Sequence, residues 1–168
     1  MKRSLIIGIM GGGSAGPDDL DKARRLGGLI AQNGWHLLNG GRDAGIMAAS
    51  AEGAAEKGGL TIGILPDEST RQASPHILIP IVTGMGNARN CINVLTSDVV
   101  VACPGGPGTL SEIALALKNG KPVITLGFSL KEIPGILMDT SVLFAAHTPE
   151  EVITIINRLI ADSEVFRP

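Results

Sequence analysis

Val99-Val100-Val101-Ala102-Cys103-Pro104-Gly105-Gly106-Pro107-Gly108-Thr109-Leu110-Ser111-Glu112 is the stretch on which the fold turns. Its first five residues are apolar without alternation, the signature of a strand buried on both faces, and such strands belong to parallel sheets covered by helices. Pro104 to Gly108 then breaks the strand, and the spacing predicts a helix from about Thr109 to Lys118, stopped by Gly120. A strand that feeds through a glycine turn into a helix is half of a βαβ unit.

The same grammar extends upstream. Leu5 to Met10 reads as a buried strand, Gly11 to Gly16 as a turn, and Pro17 as the first residue of a helix with Asp18, Asp19 and Asp21 at its positive end. The apolar positions of that helix, Leu20, Ala23, Leu26, Gly27 and Ile30, repeat at helical spacing, and Asn33-Gly34 ends it. Trp35 to Leu38 is a second strand, Ile46 to Lys57 a helix stopped by Gly58-Gly59, and Leu60 to Leu65 a third strand. Pro66 to Pro75 is a polar loop, Ile77 to Val82 a fourth strand weakened by Pro80, and Asn87 to Ser97 a helix. Downstream, Pro122 to Leu126 and a short run at Val142 to Ala145 read as strands, and Pro149 to Ala161 as the last helix.

This alternation predicts one α/β domain over residues 1–168: a Rossmann-like, doubly wound, mostly parallel sheet of about seven strands flanked by helices. Right-handed crossovers place every strand-to-helix loop at one edge of the sheet, outside the carboxyl ends of the strands, where ligands bind in such folds.

Three of those loops are rich in glycine. They are Gly11-Gly12-Gly13-Ser14-Ala15-Gly16, Gly40-Gly41-Arg42-Asp43-Ala44-Gly45 and Pro104 to Thr109, and each precedes a helix. Glycine admits a ligand close to the main chain, and a helix start presents free N–H groups to an anion. Three such loops at one edge point to a phosphate-bearing ligand. Gly11, Gly13 and Gly16 also satisfy the dinucleotide pattern G-x-G-x-x-G. The acid that should follow about 20 residues later is missing, because the second strand ends at Leu38-Asn39. No P-loop lysine follows any of the three.

Composition narrows the classes further. Hydrophobic residues are 44% and charged ones 18%, with a net charge of -2. No global field therefore attracts nucleic acid or a membrane surface. Tyrosine is absent and aromatics are 2%, leaving few platforms for stacked bases. Cys91 and Cys103 have no metal-ligand spacing, and His36, His76 and His147 are scattered, so no metal site is expected. The basic start at Lys2-Arg3 is followed by an apolar run too short for a signal peptide, and no stretch reaches a membrane-spanning length. A cytoplasmic location is expected.

Pro104-Gly105-Gly106-Pro107-Gly108-Thr109-Leu110-Ser111-Glu112 matches P-G-G-x-G-T-x-x-E, and Gly40-Gly41 with Gly45-Ile46-Met47 follows G-G-G-x-x-G-L-M. Over roughly residues 4–160 the chain resembles the Lonely Guy family of cytokinin-activating phosphoribohydrolases and their Rossmann-like relatives. In those hydrolases an arginine at the position of Arg89 and a glutamate at that of Glu112 are catalytic. The chain departs from the hydrolase pattern at Asn39, where a tyrosine is usual, and at Arg42, which replaces a glycine. Met85-Gly86-Asn87-Ala88-Arg89-Asn90 lacks the histidine and lysine of Met-His-x-Arg-Lys, and Met10 to Gly13 replaces Cys-Gly-Ser-Ser. These departures are similar to the shorter branch that includes the molybdenum cofactor carrier proteins of algae and cyanobacteria.

The resemblance implies molybdenum cofactor (molybdopterin) as the bound ligand, with a nucleoside monophosphate as the alternative. It implies a homo-oligomer, dimer or tetramer, assembled through helix faces such as Ala48, Ala51, Ala54 and Ala55, and molybdoenzymes as recipients. The binding set expected on these grounds is Gly11, Gly12, Gly13, Ser14, Gly40, Gly41, Arg42, Arg89, Gly105, Gly106, Gly108, Thr109 and Glu112, with Arg89 and Glu112 catalytic only in a hydrolase. Each side chain has a plainer reading too. Glu112 can serve as a favourable charge near a helix start, Arg89 as its partner, and Ser14 and Thr109 as caps.

Overall fold

A computed structural model describes residues 3–130 and 140–162. Among them strands and helices alternate as β1 (Ile6–Met10), α1 (Pro17–Gln32), β2 (His36–Asn39), α2 (Gly45–Glu56), β3 (Thr61–Leu65) and β4 (Ile79–Val82). The second half continues as α3 (Asn90–Thr96), β5 (Val99–Ala102), α4 (Pro107–Lys118), β6 (Val123–Leu126), β7 (Leu143–Ala146) and α5 (Pro149–Ala161).

The sheet has the order β4-β3-β2-β1-β5-β6-β7, and its pairings are all parallel. Gly8 of β1 lies opposite Leu38 on one side and Val100 on the other. The chain steps outward from β1 to β4, then crosses back to begin β5 against the free side of β1. Strand order reverses there, at the carboxyl edge where ligands bind in such sheets.

Side chains of each strand alternate between two apolar layers. Ile7, Ile9, Leu37, Val99, Val101 and Ile124 join one, under α1, α2 and α5. Met10, Leu38, Ile64, Val100, Ala102 and Val123 join the other, under α3 and α4. All four residues of β5 are fully buried, as the run of Val99 to Ala102 predicts. Each such aliphatic side chain contributes about 1.5–3 kcal/mol by leaving water.

α1 and α2 pack backbone to backbone. A Cβ on Gly27 would overlap the carbonyl oxygen of Ser50, and one on Gly53 that of Arg24. Ala51 and Ala54 are buried inside the chain, and Ala54 shares a core cluster with Ala23, Leu26 and Ile30 of α1. The alanine face expected to mediate assembly is thus consumed in part by this contact, because small residues are what lets two helix backbones approach.

Other differences from the sequence expectations are local. The helix expected over 87–97 is a 3-10 turn, Gly86–Arg89, followed by α3 from Asn90. Gly84 and Gly86 have φ of +62° and +54°, so a left-handed bend precedes the helix. α4 opens at Pro107 rather than Thr109, since proline fits a first helical position that needs no N–H. β4 begins at Ile79 and is an exposed edge strand, where Pro80 is tolerated. Remaining boundaries shift by a residue. No described helix is long and apolar enough to cross a membrane.

Candidate functional site

The three glycine loops interlock through their main chains. The Gly12 N–H donates to the Pro104 carbonyl at 3.0 Å, and the Ile46 N–H donates to the Gly12 carbonyl at 3.0 Å. Gly12 therefore touches both other loops, and it has no room for a side chain: a Cβ would lie 2.8 Å from the Ser14 carbonyl oxygen. Gly11 is equally confined, since its Cβ would meet the Ile46 side chain at 2.7 Å.

Above this junction lies a cavity of about 260 Å³. Ten of the expected residues line it: Gly11, Gly12, Gly13, Gly40, Arg42, Arg89, Gly106, Gly108, Thr109 and Glu112. Ser14, Gly41 and Gly105 do not. Gly41 donates its N–H to Asn39 Oδ1 and accepts from the Ser74 N–H, while Gly105 leaves the space that the Thr109 hydroxyl fills. Ser14 is exposed. The cavity wall also includes Ile9, Met10, Met47, Asn87 and Asn90, which lie outside the expected binding set. Asn87 and Asn90 flank Arg89 in the sequence, and that adjacency was the available signal.

One helix start dominates the site. α4 has no side-chain cap, Pro107 supplies no N–H, and Gly108 and Thr109 of its first turn face the cavity. Their unbonded N–H groups and the helix dipole favour an anion. At the start of α2, which also lacks a side-chain cap, Ile46 donates to Gly12. The start of α1 carries Asp18 and Asp19 and lies outside the cavity wall. In α5, by contrast, Thr148 accepts from the Glu151 N–H and closes that helix in the ordinary way. Neither Ser14 nor Thr109 caps its helix.

Arg89 reaches the cavity from the 3-10 turn and donates from Nη1 to the Ile64 carbonyl at 2.8 Å. Its Nε is buried without a partner. Burial pulls its pKa down, a shift that Glu112 opposes, and an arginine stays charged nonetheless. Gly40 makes way for this guanidinium: a Cβ there would collide with both Nη atoms and with Met47 Sδ.

Glu112 is 6% exposed, and its Oε1 accepts from Asn93 Nδ2 at 2.7 Å. Burial raises the pKa of its carboxyl, against the opposing effects of the Asn93 bond and the charge of Arg89. Its direct partner is therefore Asn93 rather than Arg89, which acts on it through space. Asn93 Oδ1 is itself buried and unpartnered.

Arg42 lies in the cavity wall with its charge engaged. Nε and Nη2 donate to Asp67 Oδ2 and Oδ1 at 3.0 and 2.5 Å. Asn39, which replaces the tyrosine usual in the hydrolases, is fully buried and braces the second loop through Met47, Ser50 and Gly41. A second depression of about 320 Å³ lies between α1 and α2. Its arginines, Arg24 and Arg25, already pair with Glu56 and Glu150, and no helix start faces it.

The model of the SLOG cluster4 family matches residues 4–154. Among solved structures, the molybdenum cofactor binding protein of the phototrophic bacterium Rippkaea orientalis is 52% identical with a TM-score of 0.90, covering 95% of this chain and 99% of that one. The molybdenum cofactor carrier protein of Chlamydomonas reinhardtii is 43% identical with a TM-score of 0.86, at the same coverages. A cytokinin riboside 5'-monophosphate phosphoribohydrolase of Mycobacterium tuberculosis is 34% identical over 113 residues, 62% of this chain and 60% of that protein.

Proposed function

The chain belongs to the SLOG cluster4 family, and we propose that it binds and carries the molybdenum cofactor, a pterin bearing a phosphate. The observation that carries this reading is the convergence of three glycine loops on one cavity with the uncapped start of α4 and two arginines in its wall. The N–H groups of Gly108 and Thr109 would hold the phosphate, and Arg89, with an unpartnered buried Nε, would add a fixed positive charge. Met10 and Met47 would give the ring system an apolar, polarisable wall. Among the described residues no three His, Cys, Asp or Glu side chains gather as a metal cage. The metal would thus arrive on the cofactor's own donors. The similarity to the Rippkaea and Chlamydomonas proteins supports the same ligand.

On this reading the protein works in the cytoplasm as a homo-oligomer and hands its cargo to molybdoenzymes. Assembly would use the apolar side chains left exposed, such as Leu78, Ile79, Ile81 and Leu95, in place of the buried alanines. The test is mass spectrometry of the ligand released from protein purified out of its own host, with calorimetry of cofactor binding. Recovery of a phosphorylated pterin supports the carrier; recovery of a nucleotide overturns it.

A second reading rests on Arg89 and Glu112, which share the cavity and interact electrostatically. In a nucleoside monophosphate hydrolase, Glu112 would steady positive charge developing on the ribose while the loops and Arg89 anchor the phosphate. Under the carrier reading, incubation with AMP or a cytokinin riboside monophosphate releases no free base above a no-protein control. Release by wild type that is abolished in Glu112→Gln would establish the hydrolase instead.

A further inference from the structure

We propose that Asp67 is a positioning residue that grips Arg42 by one edge and presents its other edge to the ligand, so that Arg42 and Arg89 form a fixed cationic pair selecting a phosphate monoester over a diester. The inference rests on the reading of the cavity as a phosphate-ligand site.

Asp67 takes Nε and Nη2 of Arg42 in a two-pronged contact, at 3.0 and 2.5 Å, which leaves the Nη1 side of the guanidinium free. Arg42 is part of the cavity wall and Asp67 is not, so the carboxylate holds its arginine from behind. The main chain around Arg42 is fixed as well. A Cβ on Gly41 would lie 3.0 Å from Gly63 Cα of β3, the Asp43 N–H donates to the Gln72 carbonyl, and the Ser74 N–H donates to that of Gly41. Arg89 is held from the same side, since its Nη1 donates to the Ile64 carbonyl of β3. The end of β3 and the segment after it therefore set both arginines while contributing no residue to the wall.

Charge gives the pair its preference. Burial lowers the Arg89 pKa, and the charge of Arg42 adds to that fall. The two cations are thus close enough to repel, and an anion shared between them relieves the repulsion. Glu112 is the one carboxylate in the wall, so the lining keeps a positive balance, to which the start of α4 adds. A monoester dianion draws about twice the Coulomb energy of a diester monoanion from such a field. Asp67 improves the fit because an arginine left to swing loses its rotamer freedom on binding, and here that loss is already imposed. Asp67 also repels an incoming anion, but it lies beyond Arg42, and with its side chain 24% exposed, water and salt screen it.

The experiment is calorimetry of methyl phosphate, a monoester, and dimethyl phosphate, a diester, at about pH 8 and about 0.15 M salt, where the monoester is a dianion. Wild type should bind the monoester about tenfold more tightly than the diester, the scale of one charge-assisted hydrogen bond. Asp67→Asn, which keeps the shape and removes the grip, should weaken monoester binding about fivefold and lose most of the discrimination, the scale of immobilising one long side chain. Arg42→Lys, which keeps the charge but offers no two-pronged edge, should do the same. Adding Asp67→Asn to Arg42→Gly should cause no further loss, which separates positioning from a general role in the fold. Unchanged or tighter monoester binding by Asp67→Asn would overturn the proposal, and so would a further loss in the double variant or equal binding of the two esters by wild type. Should Asp67→Asn fail to fold, Arg42→Lys decides, and monoester affinity equal to wild type would overturn the proposal. Binding of neither ester by wild type would overturn the phosphate reading of the cavity itself, a result distinct from all of these.

Discussion

Glu112 puts a buried carboxyl in the cavity wall at a cost in stability. Its carboxyl is buried and its pKa raised, chiefly by desolvation, so folding favours the protonated form. The stability linked to that preference is fully present below the unfolded carboxylate's pKa and is lost as pH rises through the raised folded value. At neutral pH the ionised group therefore costs stability, and Glu112→Gln should raise the melting temperature at pH 7. The difference should shrink as pH falls toward the ordinary carboxylate range, as calorimetric scans across pH will measure. A lower melting temperature at pH 7 would mean that attraction to Arg89 outweighs desolvation. Gly40→Ala isolates the other charge. The new methyl meets the tip of Arg89 and Met47 Sδ, not backbone, so the fold should survive while phosphate affinity in calorimetry drops several-fold. Arg42→Gly should weaken anion binding by about 1–3 kcal/mol, because it removes a cation and leaves Asp67 unpaired at the cavity wall.

At the scale of elements, the two closest approaches do different work. α1 against α2 is a packing contact, and Gly53→Ala forces a methyl into the Arg24 carbonyl. Overpacking of this kind costs about 1–3 kcal/mol or more, and urea unfolding should show it as a lower midpoint with an unchanged slope. The meeting of the β1, β2 and β5 loops, by contrast, spends its glycines on the site. Apolar runs and glycine breaks were enough to place every described strand and helix to within a few residues, since those signals are carried by near neighbours. The exceptions are Gly86–Arg89, where two positive-φ glycines, Gly84 and Gly86, set a bend that a helical pattern does not announce, and the short 3-10 helix Thr140–Val142 before β7.

For the whole molecule, turnover and assembly are the open measurements. Light scattering should give a mass that is a multiple of the chain's, and substituting Ile79 and Ile81 with polar residues should lower it. A monomeric wild type would show that the exposed edge at β4 serves another purpose. By itself the sequence determined the alternation of strands and helices, the gathering of three glycine loops at one sheet edge, and Arg42, Arg89 and Glu112 as residues placed there, which line the cavity. These follow from rules that act along the chain: burial pattern, turn chemistry, and the right hand of parallel crossovers. Tertiary structure alone decided the pairings. Arg42 meets Asp67 from 25 residues away, Asn93 meets Glu112 from 19, and Ala51 and Ala54 are buried inside the chain. Such contacts depend on which strands are neighbours and on how each helix rotates to bury its apolar face, and residue type does not encode either one locally.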